Sequence, residues 1–244
     1  MPDTRILALI AVPGLLIGLI ALLVLAIVGL PVWLAIVIAL VATVAVAALL
    51  YRLSGTRALD ALHTRPLVEG ERPRLDNLLD ALCVNGGFDR PQVHRVDTAA
   101  RNSAVLSDGA THLVITDGLI DAVDYMDLEA LLAHQLAAGE HSELQYRTRM
   151  VGLLSLLPDG LQQRLADRLL DRVEVFGGDV EGAQVTRYPP GQVALLEVLA
   201  EGDNRVGGVA PAGSDLWLAN PLGAHAEDPA HPALEDRIAL LREL

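Results

Sequence analysis

Lysine is absent from this 244-residue chain, and cysteine occurs once, at Cys83. All 18 basic residues are arginine, against 31 acidic ones, for a formal charge of −13. Arginine in place of lysine fits a GC-rich genome. The acidic surplus fits a salt-adapted proteome, since net charge bears on solubility and environment rather than on fold. Its sign argues against a phosphate-tracking surface, so nucleic acid is not an expected partner. A single cysteine excludes an internal disulfide framework and suits a reducing compartment. Also missing are a Walker loop, a Rossmann glycine pattern, a CxxC pair and any internal repeat. There is no G-x-S-x-G, and Cys83 lies on a leucine-rich helix as core, so a serine or cysteine hydrolase is not supported.

Charge is missing from the first fifty residues too, where only Asp3 and Arg5 occur and cancel. With 52% hydrophobic residues overall, the chain divides into an apolar head and an acidic body. Residues 6–30 and 32–51 are two uncharged runs, each meeting the roughly 20 residues that a bilayer-spanning helix needs. Gly29-Leu30-Pro31 between them predicts a tight hairpin, and membrane helices tolerate the internal Pro13 and Gly14. A cleaved signal peptide fits less well, because the run is too long and a second span follows at once. Arg5 precedes the first span and Arg52, Arg57 and Arg65 follow the second, while the hairpin tip has no arginine. The positive-inside rule therefore places the body in the cytoplasm, with membrane lipid as a partner.

Beyond the head, residues 52–71 read as a juxtamembrane connector and 72–244 as one α+β domain. Pro73 opens a helix with Leu75, Leu78, Leu79 and Leu82 on one face, closed by Asn85-Gly86-Gly87. Short strands are expected at Gln92 to Asp97, Ser103 to Leu106 and Thr111 to Thr116, the last two joined by a turn at Ser107-Asp108-Gly109. Asp127 is expected to cap a helix from Leu128 to about His141. Residues Met150 to Leu157 are apolar but too short to span. Further helices are expected at Asp159 to Val175, Gly191 to Glu201 and Ala233 to Leu244, with a glycine-rich loop from Gly202 to Ser214.

The segment with chemistry in it is Leu128-Glu129-Ala130-Leu131-Leu132-Ala133-His134-Gln135-Leu136-Ala137-Ala138. It resembles the active-site helix of the HtpX-like membrane zinc metallopeptidases, a family that includes the CAAX prenyl proteases. Three further segments resemble that family in the right order. They are Asn102-Ser103-Ala104 through Gly118-Leu119, Gln184-Val185-Thr186-Arg187-Tyr188-Pro189-Pro190-Gly191, and Trp217-Leu218-Ala219-Asn220-Pro221 with His231-Pro232-Ala233-Leu234-Glu235-Asp236-Arg237-Ile238. The resemblance implies a hairpin followed by a mainly helical gluzincin-like metallopeptidase domain with a small sheet. It also implies substrate capture by strand addition to a sheet edge.

In H-E-x-x-H, two histidines four apart on one helix face reach a single zinc, and the glutamate takes a proton from the bound water. Here His134 stands at the first ligand position, but the base position holds Gln135, an amide that cannot accept a proton at neutral pH. Ala138 occupies the second ligand position. Counting back from Gln184-Val185-Thr186-Arg187, the family's E-x-x-x-D puts Val175 at the third ligand position and Asp179 at the aspartate, a supporting residue behind the ligands. The motif is degenerate: one ligand of three and no base.

His141 cannot complete a site with His134, since seven residues climb about 10.5 Å along a helix. Glu140 and Glu143 read as a solvated face, and His94 and His112 as strand-face residues. His231 is a candidate cleft residue or merely a helix-start residue before Pro232. Two readings of function follow. In the first, the chain is an inactive homologue with no expected cofactor, binding a peptide or protein partner or acting as a scaffold at the cytoplasmic membrane face. In the second it is an active zinc metalloendopeptidase with atypical ligands. A purely structural subunit of a membrane complex is a third.

Overall fold

The computed structural model describes residues 4–170, 175–223 and 231–244. Two long helices, α1 (Thr4–Ile27) and α2 (Val32–Asp60), form an antiparallel hairpin. Pro31 and the positive φ of Gly29, 86°, shape the reversal. Both helices are long and apolar enough to cross a membrane. They approach closely: a Cβ on Gly14 would lie 2.9 Å from the Thr43 carbonyl oxygen. Their outer faces stay exposed, as at Leu16, Ile20 and Val41. The segment expected to be a connector begins as helix, because α2 continues to Asp60 and carries Ser54, Gly55 and Ala58 into the body.

The body is α+β. A four-stranded sheet has the order β1-β2-β4-β3, from β1 (Arg65–Pro66), β2 (Gln92–Val96), β3 (Ser103–Ser107) and β4 (Thr111–Thr116). β2 and β4 are parallel, and the other neighbours antiparallel. Alternation along β4 sends Leu113 and Ile115 to one face and Val114 to the other. The first face packs on α3 (Pro73–Gly86) and α5 (Tyr125–Gly139). The second packs on the end of α2 and on α6 (Ser142–Leu154). A short α4 (Asp117–Ala122) links β4 to α5. The rest comprises α7 (Asp159–Leu169), α8 (Val175–Thr186), α9 (Pro189–Ala200), a short 3-10 helix (Pro211–Leu216) and α10 (Leu234–Leu241).

Most expected elements appear within a residue or two, and three differ. The cap of α5 is Asp124, not Asp127. Its carboxylate accepts the Met126 and Asp127 backbone N–H groups, while Asp127 reaches back to the Asp124 N–H. That reciprocal pair satisfies donors the first turn would otherwise orphan, and it starts the helix three residues early. Second, α5 ends at Gly139, so His141 precedes α6 instead of extending the His134 helix, and it pairs with Glu181 at 2.7 Å. Met150–Leu154 form the apolar end of α6, largely buried together with Thr148 and Arg149. Third, the helix expected over 159–175 ends as α7 at Leu169; residues 171–174 lie outside the described residues.

Candidate functional site

The two helices carrying the motif positions lie backbone to backbone. Gly182 on α8 sits so close to α5 that a Cβ there would be 2.9 Å from the His134 Cα, and one on Gly178 would be 3.3 Å from His134 Cε1. Glycines at i and i+4 on one helix face permit this approach, and it carries the next α8 residue, Asp179, to the imidazole. Position 175 lies three residues before Gly178 in the same helix.

His134 is buried, its Nδ1 3.6 Å from an Asp179 oxygen and 3.3 Å from the Gln192 amide nitrogen on α9. Burial pushes its pKa from 6.5 down to about 4, opposed by the Asp179 carboxylate and reinforced by the Arg237 charge, so the ring is neutral at physiological pH. Asp179 itself is clamped by Arg237 on α10 through two bonds of 2.7 Å, and neither residue is exposed to solvent. Arg237 also donates to the Leu218 carbonyl at 2.7 Å. A buried charge is tolerable only when paired and hydrogen-bonded, and this one meets both conditions.

Gln135, on the neighbouring side of α5, is also buried and donates its amide to Ser103 Oγ on β3 at 2.5 Å. Ala138, one turn after His134, is half-buried and packs against the second core cluster. His231 sits against the Trp217 carbonyl, 3.2 Å away. The residues do not fit zinc in the family's manner: His134 has a donor nitrogen, but alanine and valine side chains have none, and Gln135 holds an amide where a base would stand. Among the described residues, no group of three or more His, Cys, Asp or Glu side chains is arranged to hold a metal.

Beside these helices, β3 is an outer strand, yet its free side is partly taken. Ala104 forms a bridge with Trp217, the Leu218 N–H donates to the Ser103 carbonyl at 2.8 Å, and the Ser107 N–H donates to Thr148 Oγ1 at 2.9 Å. Asn102 locks the same seam, its amide donating to the Ala219 and Asn204 carbonyls and its carbonyl oxygen accepting from Ser103 and Ala219 N–H groups. The strand addition implied by the resemblance therefore meets an edge already bonded to the chain's own Trp217–Ala219 segment.

The structure thus gathers His134, Gln135 and Asp179 with Ser103, Asn102, Gln192 and Arg237. Arg237 and Asn102 stand within segments carrying the resemblance, but their partners are visible only in space. Gln192 had one local signal, a lone amide in the apolar turn Gly191-Gln192-Val193-Ala194-Leu195. His94 and His112 lie away from this group. They are buried and 3.1 Å apart, His112 also contacts Asp108, and burial and the neighbouring ring lower the His94 pKa.

Comparison with known proteins finds no matching family model and no matching solved structure. It does find curated relatives named Protease HtpX homolog. The one from Dictyoglomus turgidum is 25% identical over 231 residues, covering 79% of this chain and 76% of its own. That from Dictyoglomus thermophilum is 25% identical over 210 residues, covering 70% and 69%. A third, from Tropheryma whipplei strain Twist, is 24% identical over 233 residues, covering 80% of each chain.

Proposed function

From the premise that this chain belongs to the HtpX-like family of membrane metallopeptidases, we propose that it is a non-catalytic member, a membrane-anchored partner-binding or scaffold protein. The observation that carries this reading is the state of the base position. A Gln135 amide, buried and engaged with Ser103, has no basic group for a water proton, and loss of a general base alone costs about 10²–10⁴ in rate. Ala138 and Val175 remove two of the three donors that zinc needs. What remains is a neutral imidazole packed against a carboxylate, an amide and two glycines, which serves to join α5, α8 and α9. The relatives' name, Protease HtpX homolog, supports the other reading, an active peptidase with ligands from elsewhere in the chain.

Zinc content separates the two. The purified protein is expected to carry essentially none and to cleave casein no faster than background with zinc added; stoichiometric zinc with chelator-sensitive cleavage would overturn the proposal.

The two apolar helices and the relatives together support membrane association. We read the hairpin as two spans, with the body on the cytoplasmic side as its flanking arginines require. Trp33 near the tip and Tyr51 at the base are 18 positions apart in α2, about 27 Å of helix, close to the thickness of a hydrocarbon core and suited to its two aromatic belts. On this orientation, added protease digests the body in inside-out vesicles and spares it in intact spheroplasts.

A further inference from the structure

The body leans on the hairpin through a third apolar cluster, built from Ile6 and Ile10 of α1 with Met150 and Leu154 of α6, and joined by Leu170 and Ala212. Packed around it are Ala47, Leu50 and Tyr51 of α2 and Leu153, Leu157 and Leu165 of the α6–α7 region. Ala47 lies four residues before Tyr51, about 6 Å of helix further along α2. Any bilayer that covers α2 as far as Tyr51 therefore also reaches the side chains packed there.

The turn from α6 to α7 is Ser155-Leu156-Leu157-Pro158-Asp159-Gly160-Leu161. Leu156 is 46% exposed and Leu161 45%, beside the half-buried Leu153 and Leu157. Four leucines in nine residues thus face outward or half outward, and two of them, Leu153 and Leu157, pack on the cluster shared with the hairpin. Elsewhere on the body, Val68, Val84 and Tyr188 are exposed singly, and Tyr125 and Met126 are exposed together at the start of α5. In α7, Leu165 and Leu169 turn toward the apolar cluster while Leu161 stays exposed at the corner, and Arg164 and Arg168 are exposed on the same helix. Leu161, exposed beside these arginines, suits a helix start at the lipid interface, where arginine heads reach the headgroups and an exposed leucine enters the acyl boundary. At 11 residues, α7 is too short to cross.

We propose that the α6–α7 corner is a third membrane contact, a half-inserted wedge with Leu156 and Leu161 seated in the lipid interface beside the hairpin. The inference rests on the reading of α1 and α2 as spans, and the packing of the neighbouring Leu153 and Leu157 against Ile6, Ile10, Ala47 and Leu50 of the hairpin identifies the occupant as lipid. The wedge fixes the body's tilt, because a domain held at the hairpin and at one corner cannot swing freely about α2.

Single cysteines at Val41, Leu156, Leu161 and Val84, in a full-length Cys83→Ala background, allow the test. Each is labelled with a nitrobenzoxadiazole probe and reconstituted into phosphatidylcholine–phosphatidylglycerol vesicles containing doxyl lipids. Emission is expected to be lost at Val41, most strongly with deep doxyl groups, and at Leu156 and Leu161 with shallow ones, while Val84 is unchanged. If Val41 is quenched and the corner probes behave like Val84, the wedge is wrong and the spans stand. A corner probe that is blue-shifted yet unquenched would mean a protein cover, which also overturns the proposal. An unquenched Val41 would defeat the spanning reading and the wedge together.

Discussion

Acid should loosen this protein through His134, and by an amount the site fixes. The imidazole is buried and neutral, with its pKa pushed from 6.5 to about 4. In the unfolded chain the same group protonates near its ordinary value, so the unfolded state binds the extra proton first as pH falls. The sign follows: His134's contribution to stability is complete above about pH 6.5 and is lost as pH falls toward 4. The size is about 2 kcal/mol by pH 5 and about 3 kcal/mol by pH 4, since one pKa unit is worth 1.36 kcal/mol. Replacing the ring in His134→Gln removes this titration and leaves other ionisable groups, including His94, in both proteins. Urea unfolding in detergent, followed by tryptophan emission between pH 4 and 8, gives the difference directly. The wild-type minus variant stability should be flat above pH 7 and fall by that amount toward pH 4. Parallel curves across the whole range would refute the claim that His134 is held neutral by burial.

Two further outcomes test the surroundings and the alignment. Asp179→Asn strands the Arg237 guanidinium in the interior and is expected to cost about 3–5 kcal/mol, a fall in Tm of about 6–20 °C for a domain of this size. Asp179→Leu with Arg237→Met should recover most of that loss; a single variant no less stable than Arg72→Ala, which breaks the partly exposed Arg72–Asp121 pair, would show that the buried pair contributes little. Ala138→His with Val175→Glu restores the two missing donors and should raise bound zinc, measured by atomic absorption, to about one per chain. Adding Gln135→Glu is then the step that can restore hydrolysis. A folded double variant without zinc would show that position 175 is misassigned.

The sequence by itself determined the features that depend on local pattern. Two charge-free runs specify the hairpin helices, because no other use of such runs removes so much apolar surface from water. Strand alternation and the Gly87 stop placed β2, β4 and α3, since these signals act within a few residues. The substituted motif positions were also legible, because an amide cannot be a base and an alanine cannot be a ligand wherever they stand. Tertiary structure decided the rest. Asp124 displaced Asp127 as the cap because the reciprocal hydrogen bonds need the turn in three dimensions. Asp179 was expected to stand behind His134, yet its strongest partner is Arg237, 58 residues away. The β3 edge is partly covered by a segment more than a hundred residues downstream. Hydrophobic periodicity reports which face of an element is buried, but not which polar group will meet it there; that depends on how far two backbones can approach, and here Gly178 and Gly182 set that distance.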